Sequence, residues 1–139
     1  MNYLVLDCSV TMSWFFTDEY SPHVQYVRKC LETDWIARVP HLWVTEILNS
    51  FLTAERRNRI DAWSTFISLN ILRRLPVQIE PVPDIQTQLQ ILYLSRTFNL
   101  TAYDASYLER ALRSGYPIAT LDQEIQKAAY AAGVNLLQQ

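Results

Sequence analysis

The sequence predicts a single α/β domain spanning residues 1–139, with a central, mostly parallel β-sheet of about five strands flanked by helices. Two observations point there. Short apolar runs alternate with helix-length segments along the whole chain, which is the pattern of strand–helix–strand units. Only two glycines occur among the 139 residues, too few for a meander of tight turns or a glycine-rich phosphate loop, and suited to helices joined by short connections. With half its residues apolar, a chain of this length buries about two-thirds of its unfolded surface as one domain and is short for two.

Taken in order, residues 3–6 form a continuous apolar run that stops at Asp7, as a buried parallel strand does, with Ser9 a candidate cap for the helix that follows. Ser21-Pro22 opens a helix to about Thr33, serine as cap and proline in the first turn. A strand over 36–39 stops at Pro40. Over 42–57, Trp43, Val44, Ile47, Leu48, Phe51 and Leu52 recur at helical spacing on one side, and a second helix over 61–74 follows a break at Asn58. Residues 77–80 read as a strand closed by Pro81 and Pro83, and a helix runs from Ile85 towards Thr97. Thr101 caps the next helix, which ends at Gly115, a left-handed terminator. A strand over 117–120, a helix over 122–132 ended by Gly133 and a closing strand over 134–137 complete the chain.

Four acids stand where hydrophobic segments stop or are interrupted: Asp7 after YLVL, Glu46 within HLWVTEILNSFL, Asp104 in TAYDASYLERAL and Asp122 after PIATL. Ligands of open α/β sheets bind beyond the carboxyl ends of the strands, where Asp7 and Asp122 are both placed. The loop before Asp104 can reach the same edge. Gathered at about 5 Å with an effective dielectric near 20, each like-charge pair costs ~3 kcal/mol, so a cluster needs a hard cation or protonation. Asp7, ending a buried strand, would be desolvated without a partner, whereas the other three acids also have ordinary roles. Asp104 follows Thr101 at the T-x-x-D spacing of a helix start, Asp122 suits a helix cap, and Glu46 suits the margin of an amphipathic helix. Ser9 and Thr120 are most simply caps whose hydroxyls could also hold a carboxylate.

The net charge of −2 hides a partition: with the four acids set aside, ten acidic residues face twelve basic ones, ten of them Arg. Arginine forks onto phosphate through two hydrogen bonds, which permits RNA as a partner. Arg56, Arg57, Arg59, Arg73 and Arg74 are either solvated helix ends or an RNA-facing rim. His23 and His41 lack partners at ligand spacing and suit surface or capping roles. Cys8 and Cys30 are too few for a zinc site and read as buried thiols in a reducing cytoplasm. No signal-peptide pattern and no membrane-length apolar run is present.

In this order and spacing, LVLDCSV, LWVTEILNSF, TAYDASYLERAL and IATLDQEIQKAAYAAGV resemble the PIN-domain ribonucleases, and more narrowly the VapC-type toxins of bacterial toxin–antitoxin pairs, over essentially the whole chain. The resemblance implies that Asp7 and Asp104 are the principal metal-binding acids, that Asp122 completes the metal site, and that Glu46 is the fourth member. Ser9 matches the small polar residue two places after the first acid, and Thr120 the hydroxyl two before the last. It further implies Mg²⁺ or Mn²⁺, endoribonuclease activity on RNA, a homodimer, and a cognate antitoxin that occludes the site. Gln123-Glu124 stand where some relatives place another Asp, so no fifth ligand is expected. Oxygen-only donors suit these ions. A carboxylate such as Glu46 or Asp122, rather than either histidine, is expected to orient the attacking water.

Three other readings compete. A catalytically silent PIN-like module would bind RNA or protein without cutting. A receiver-like phospho-acceptor domain needs adjacent acids after the first strand and a late lysine, whereas Cys8 follows Asp7 and the only lysines are Lys29 and Lys127. An aspartyl phosphatase needs D-x-D, and Ser9 stands in the third place.

Overall fold

Leu4, Val5 and Leu6 are wholly inaccessible to solvent. Neighbours along a strand point to opposite faces, so such a run is stable only where both faces of the sheet are covered. In the computed structural model, which describes residues 1–138, it lies in the sheet interior. Strands β1 (Asn2–Leu6), β2 (Trp35–Val39), β3 (Val77–Ile79) and β4 (Ile118–Ala119) pair in the order β3-β2-β1-β4, every pairing parallel. The fifth strand expected over 134–137 is reduced to an isolated bridge between Ile118 and Leu136. The physical reason is the length of its partner: β4 offers two residues before the chain turns into a helix, too few to carry a second ladder.

Seven α-helices flank the sheet among the described residues: α1 (Cys8–Ser13), α2 (Pro22–Leu31), α3 (Leu42–Arg56), α4 (Ala62–Leu72), α5 (Ile85–Phe98), α6 (Ala102–Ser114) and α7 (Gln123–Ala132). A single 3₁₀ turn at Thr17–Glu19 joins α1 to α2 and was not anticipated. The expected caps are in place where a side chain satisfies the free amides of a first turn: Ser21 accepts from Val24 N, and Thr101 from Asp104 N. Gly115 and Gly133 end their helices at φ 69° and 76°. Ser9 is not a cap. Helix α1 begins at Cys8, and the Ser9 hydroxyl is turned to Asp7 instead.

Two helices differ from expectation in what they bury. Along α3 the buried stripe is Trp43, Ile47, Phe51 and Ala54, while Val44, Leu48 and Leu52, about 100° further round, stay at the surface. Helix α4 carries no charged residue, yet of its eleven residues only Ser68 and Leu72 are buried; Trp63, Phe66, Ile67 and Ile71 face outward. Both cysteines are buried free thiols. Among the described residues no helix is long and apolar enough to cross a membrane.

The chain lays β2 and then β3 on one side of β1 and returns β4 on the other. The connections leaving the carboxyl ends of β1 and β4 therefore diverge, which opens a crevice at that edge of the sheet. Asp7 follows the last residue of β1, and Asp122 lies three residues beyond β4.

Candidate metal centre

Asp7 is only 5% exposed. Its Oδ2 accepts two hydroxyl hydrogen bonds, from Ser9 Oγ at 2.7 Å and Thr120 Oγ1 at 2.7 Å. Each hydroxyl in turn accepts a backbone amide, Leu121 N on Ser9 and Asp122 N on Thr120, both at 3.0 Å. A hydroxyl has one proton to give, so these bonds orient both donors at Oδ2 and leave Oδ1 uncommitted. Burial raises the Asp7 pKa above its ordinary value; the two hydroxyls and the Cys8 backbone amide oppose this, and the charge of Asp122 adds to it.

Asp122 is the N-cap of α7, where its Oδ1 accepts from Glu124 N at 2.9 Å and Ile125 N at 3.0 Å. One oxygen therefore serves the helix and the other is free. Asp104 sits in the first turn of α6, but Thr101 does the capping there. The Asp104 pKa is raised by burial, then by the charges of Asp122 and Asp7, and the Thr101 side chain opposes the rise. Glu46, half-buried on α3, accepts at Oε1 a short hydrogen bond of 2.5 Å from the Tyr107 hydroxyl of α6. Burial raises the Glu46 pKa as well; Tyr107 opposes, and Asp7 and Asp104 add to the rise.

All four carboxylates line one cavity of about 520 Å³, together with Ser9 and Cys8. The side chains expected to converge from distant parts of the sequence are thus brought together, and Thr120 reaches the cavity through Asp7. The basic candidates divide. Arg57 and Arg59 line the same cavity, and Arg59 is held rather than free, with Nη2 2.9 Å from Asp18 and its guanidinium 4.2 Å over the Phe16 ring. Arg56, Arg73 and Arg74 lie outside the cavity wall, as does His23. His41 lines a second, more apolar cavity of about 600 Å³ between the β3–α5 loop and helices α5 and α6, which contains none of the four acids. Sequence reasoning missed Tyr107. The available signal was its spacing three residues after Asp104, which puts both on one face of α6.

The resemblance implies a divalent ion, and the donors present are carboxylate oxygens. Among the described residues no three acidic, histidine or cysteine side chains already stand at the spacing of one shared ion. The carboxylate lining of the cavity suits a hard divalent ion such as Mg²⁺ in its chemistry, since that ion keeps several waters and takes one or two carboxylates directly. A soft thiolate site does not fit. Burial pushes the Cys8 thiol up to about 12, Ser50 opposing and Glu46 and Asp7 adding, so it stays protonated and 3.6 Å from Ser50 Oγ.

No protein-family model and no curated protein matches the chain. Solved structures do. The chain is similar to PAE2754 of Pyrobaculum aerophilum, with a TM-score of 0.68 and 24% identity over 92% of this chain and 79% of that one. It is similar to VapBC2 of Rickettsia felis, solved on a DNA fragment from its promoter, with a TM-score of 0.68 and 8% identity over 97% of both chains. VapC20 of Mycobacterium tuberculosis, described as a toxin cleaving the sarcin–ricin loop, matches with a TM-score of 0.66 and 13% identity over 98% of this chain and 99% of that one. The α/β architecture is therefore the PIN-like fold of VapC-type proteins.

Proposed function

We propose that this chain is a Mg²⁺- or Mn²⁺-dependent endoribonuclease that hydrolyses RNA phosphodiester bonds, acting as the toxin of a toxin–antitoxin pair. The observation that carries the reading is the convergence of Asp7, Glu46, Asp104 and Asp122, from four separate places in the chain, on one cavity at the carboxyl edge of a parallel sheet. In three of them burial and mutual repulsion raise the carboxyl pKa, which is the electrostatic condition that a cation relieves. The fold shared with VapBC2 and with VapC20, the latter described as a cleaving toxin, supports it.

In this reading Asp7, Asp104 and Asp122 would hold the ion, directly or through its waters, with Glu46 as the fourth acid. When bound, the ion withdraws charge from a phosphate oxygen and makes water more acidic. The protein's own part is orientation. Ser9 and Thr120 fix the plane of the Asp7 carboxylate, a carboxylate such as Glu46 or Asp122 orients the attacking water, and Arg57 on the cavity wall offers a guanidinium to the phosphate backbone. The reading carries with it a homodimer and a cognate antitoxin that occludes the cavity. The uncharged outer face of α4, with Trp63, Phe66, Ile67 and Ile71 at the surface, supports a protein partner, since exposed apolar patches of this kind mark contact surfaces.

Calorimetric titration with Mn²⁺ and an RNA cleavage assay test the proposal together. Wild-type protein is expected to bind Mn²⁺ and to cut RNA only with metal present, and a chelator is expected to stop it. Asp7→Asn or Asp104→Asn should lower cleavage by more than the ~10–100-fold typical of residues that only support a metal ligand. RNA that is bound but never cut would assign the chain to the silent-module alternative.

A further inference from the structure

The hydrogen bonds around the acidic cavity follow a pattern. Asp7 has Oδ2 occupied by two hydroxyls, Asp122 has Oδ1 occupied by two backbone amides, and Glu46 has Oε1 occupied by a phenol. Each of these three acids has one oxygen taken by the protein and one left over. Ser9, Thr120 and the start of α7 account for the first two. The donor for the third is Tyr107, which no motif assigned to the site.

Tyr107 is wholly buried and Glu46 half-buried at the cavity wall. A buried phenol needs a hydrogen-bond partner, and a backbone carbonyl would serve; its neighbour Ser106 donates to Ala102 O. Tyr107 instead reaches from α6 to α3 across 61 positions of sequence and donates to a carboxylate of the cavity. It stands one turn beyond Asp104 on the same helix face. One helix therefore supplies both an acid of the cavity and the donor that orients another. Glu46 is the longest of the four acids and has the most rotatable bonds to fix.

We propose that Tyr107 is a positioning residue for the acidic site: its hydroxyl holds Glu46 so that Oε2 alone is presented to the cavity. The proposal rests on the metal-dependent reading above and extends it to a residue that touches neither metal nor substrate. It makes Tyr107 the counterpart, for Glu46, of the Ser9–Thr120 pair on Asp7.

Tyr107→Phe removes the hydroxyl and keeps the ring. Mn²⁺ affinity, measured by calorimetry, is expected to fall about 10-fold, with the far-ultraviolet dichroism unchanged. Cleavage should shift to higher Mn²⁺ and regain its maximal rate at saturation. In a double-mutant cycle, adding Tyr107→Phe to Glu46→Gln should cause no further loss of affinity, because the tyrosine acts through that carboxylate. Wild-type affinity in Tyr107→Phe, or an equal loss with and without Glu46, would overturn the proposal while leaving the nuclease reading intact. Absence of Mn²⁺ binding by the wild type would remove both. Should Tyr107→Phe not fold, 3-fluorotyrosine at position 107 keeps ring and hydroxyl. Its ¹⁹F resonance is expected to move on titration with Mg²⁺, and a resonance indifferent to the ion refutes the coupling.

Discussion

A carboxylate buried as deeply as Asp7 favours its neutral form, and the hydroxyls of Ser9 and Thr120 only partly offset that preference. The consequence has a definite sign. The native pKa values of Asp7, Asp104 and Glu46 lie above their ordinary 3.8, 3.8 and 4.5. Over that interval the folded protein holds protons that the unfolded chain has released, so metal-free stability falls as pH rises through the raised values. Asp61 and Asp84 act in the opposite sense. Their pKa values are lowered by backbone amides at helix starts, and their contribution is lost as pH falls through those lowered values. Comparison with Asp7→Asn isolates the site: in urea denaturation without metal, the stability of the variant relative to wild type should increase from pH 4 to pH 7. Saturating Mn²⁺ should reverse the ranking at pH 7, and a difference flat with pH would contradict the burial of a charged Asp7.

Among elements, the helix ends were the most legible in the sequence, because their chemistry is local. Ser21-Pro22, Thr101, Gly115 and Gly133 each announce a boundary through one side chain or one backbone conformation. Gly115 provides a clean measurement, since a Cβ built there meets nothing within 4 Å and only its φ of 69° opposes substitution. Gly115→Ala should therefore cost about 1–2 kcal/mol in thermal or urea unfolding, with no loss of packing. Asparagine, which tolerates this conformation, should cost less. Elements whose fate depends on neighbours were not legible. The stripe Val44, Leu48, Leu52 has the same periodicity as the buried Trp43, Ile47, Phe51, and only the position of the sheet decides between them. The apolar stretch over 134–137 looked like a strand, but β4 was too short to pair with it.

At the scale of the whole molecule, the site was readable where topology dictates it. Asp7 and Asp122 follow segments that read as parallel strands, and such strands present their carboxyl ends at one edge. Glu46 and Asp104 were readable only through their place in an ordered set. Tyr107 was hidden because a tyrosine at core spacing reads as packing. The charge partition also belongs to this scale: with Asp7, Glu46, Asp104 and Asp122 gathered in one cavity, the metal-free protein repels a phosphate backbone at the place where the proposed function would bring it. Asp7→Asn combined with Asp104→Asn should therefore bind RNA more tightly than metal-free wild type in low-salt fluorescence anisotropy, while cutting none. Equal affinity would show that the cavity field does not reach the substrate. Finally, the Thr120–Asp7 and Leu121–Ser9 bonds join positions 113 and 112 residues apart. A chain under synthesis exposes Asp7 113 residues before Thr120, so the pocket cannot be assembled until the segment around Thr120 has emerged. A fragment released between the two carries the acid without the hydroxyl that orients it, and the pocket closes only when β4 docks beside β1.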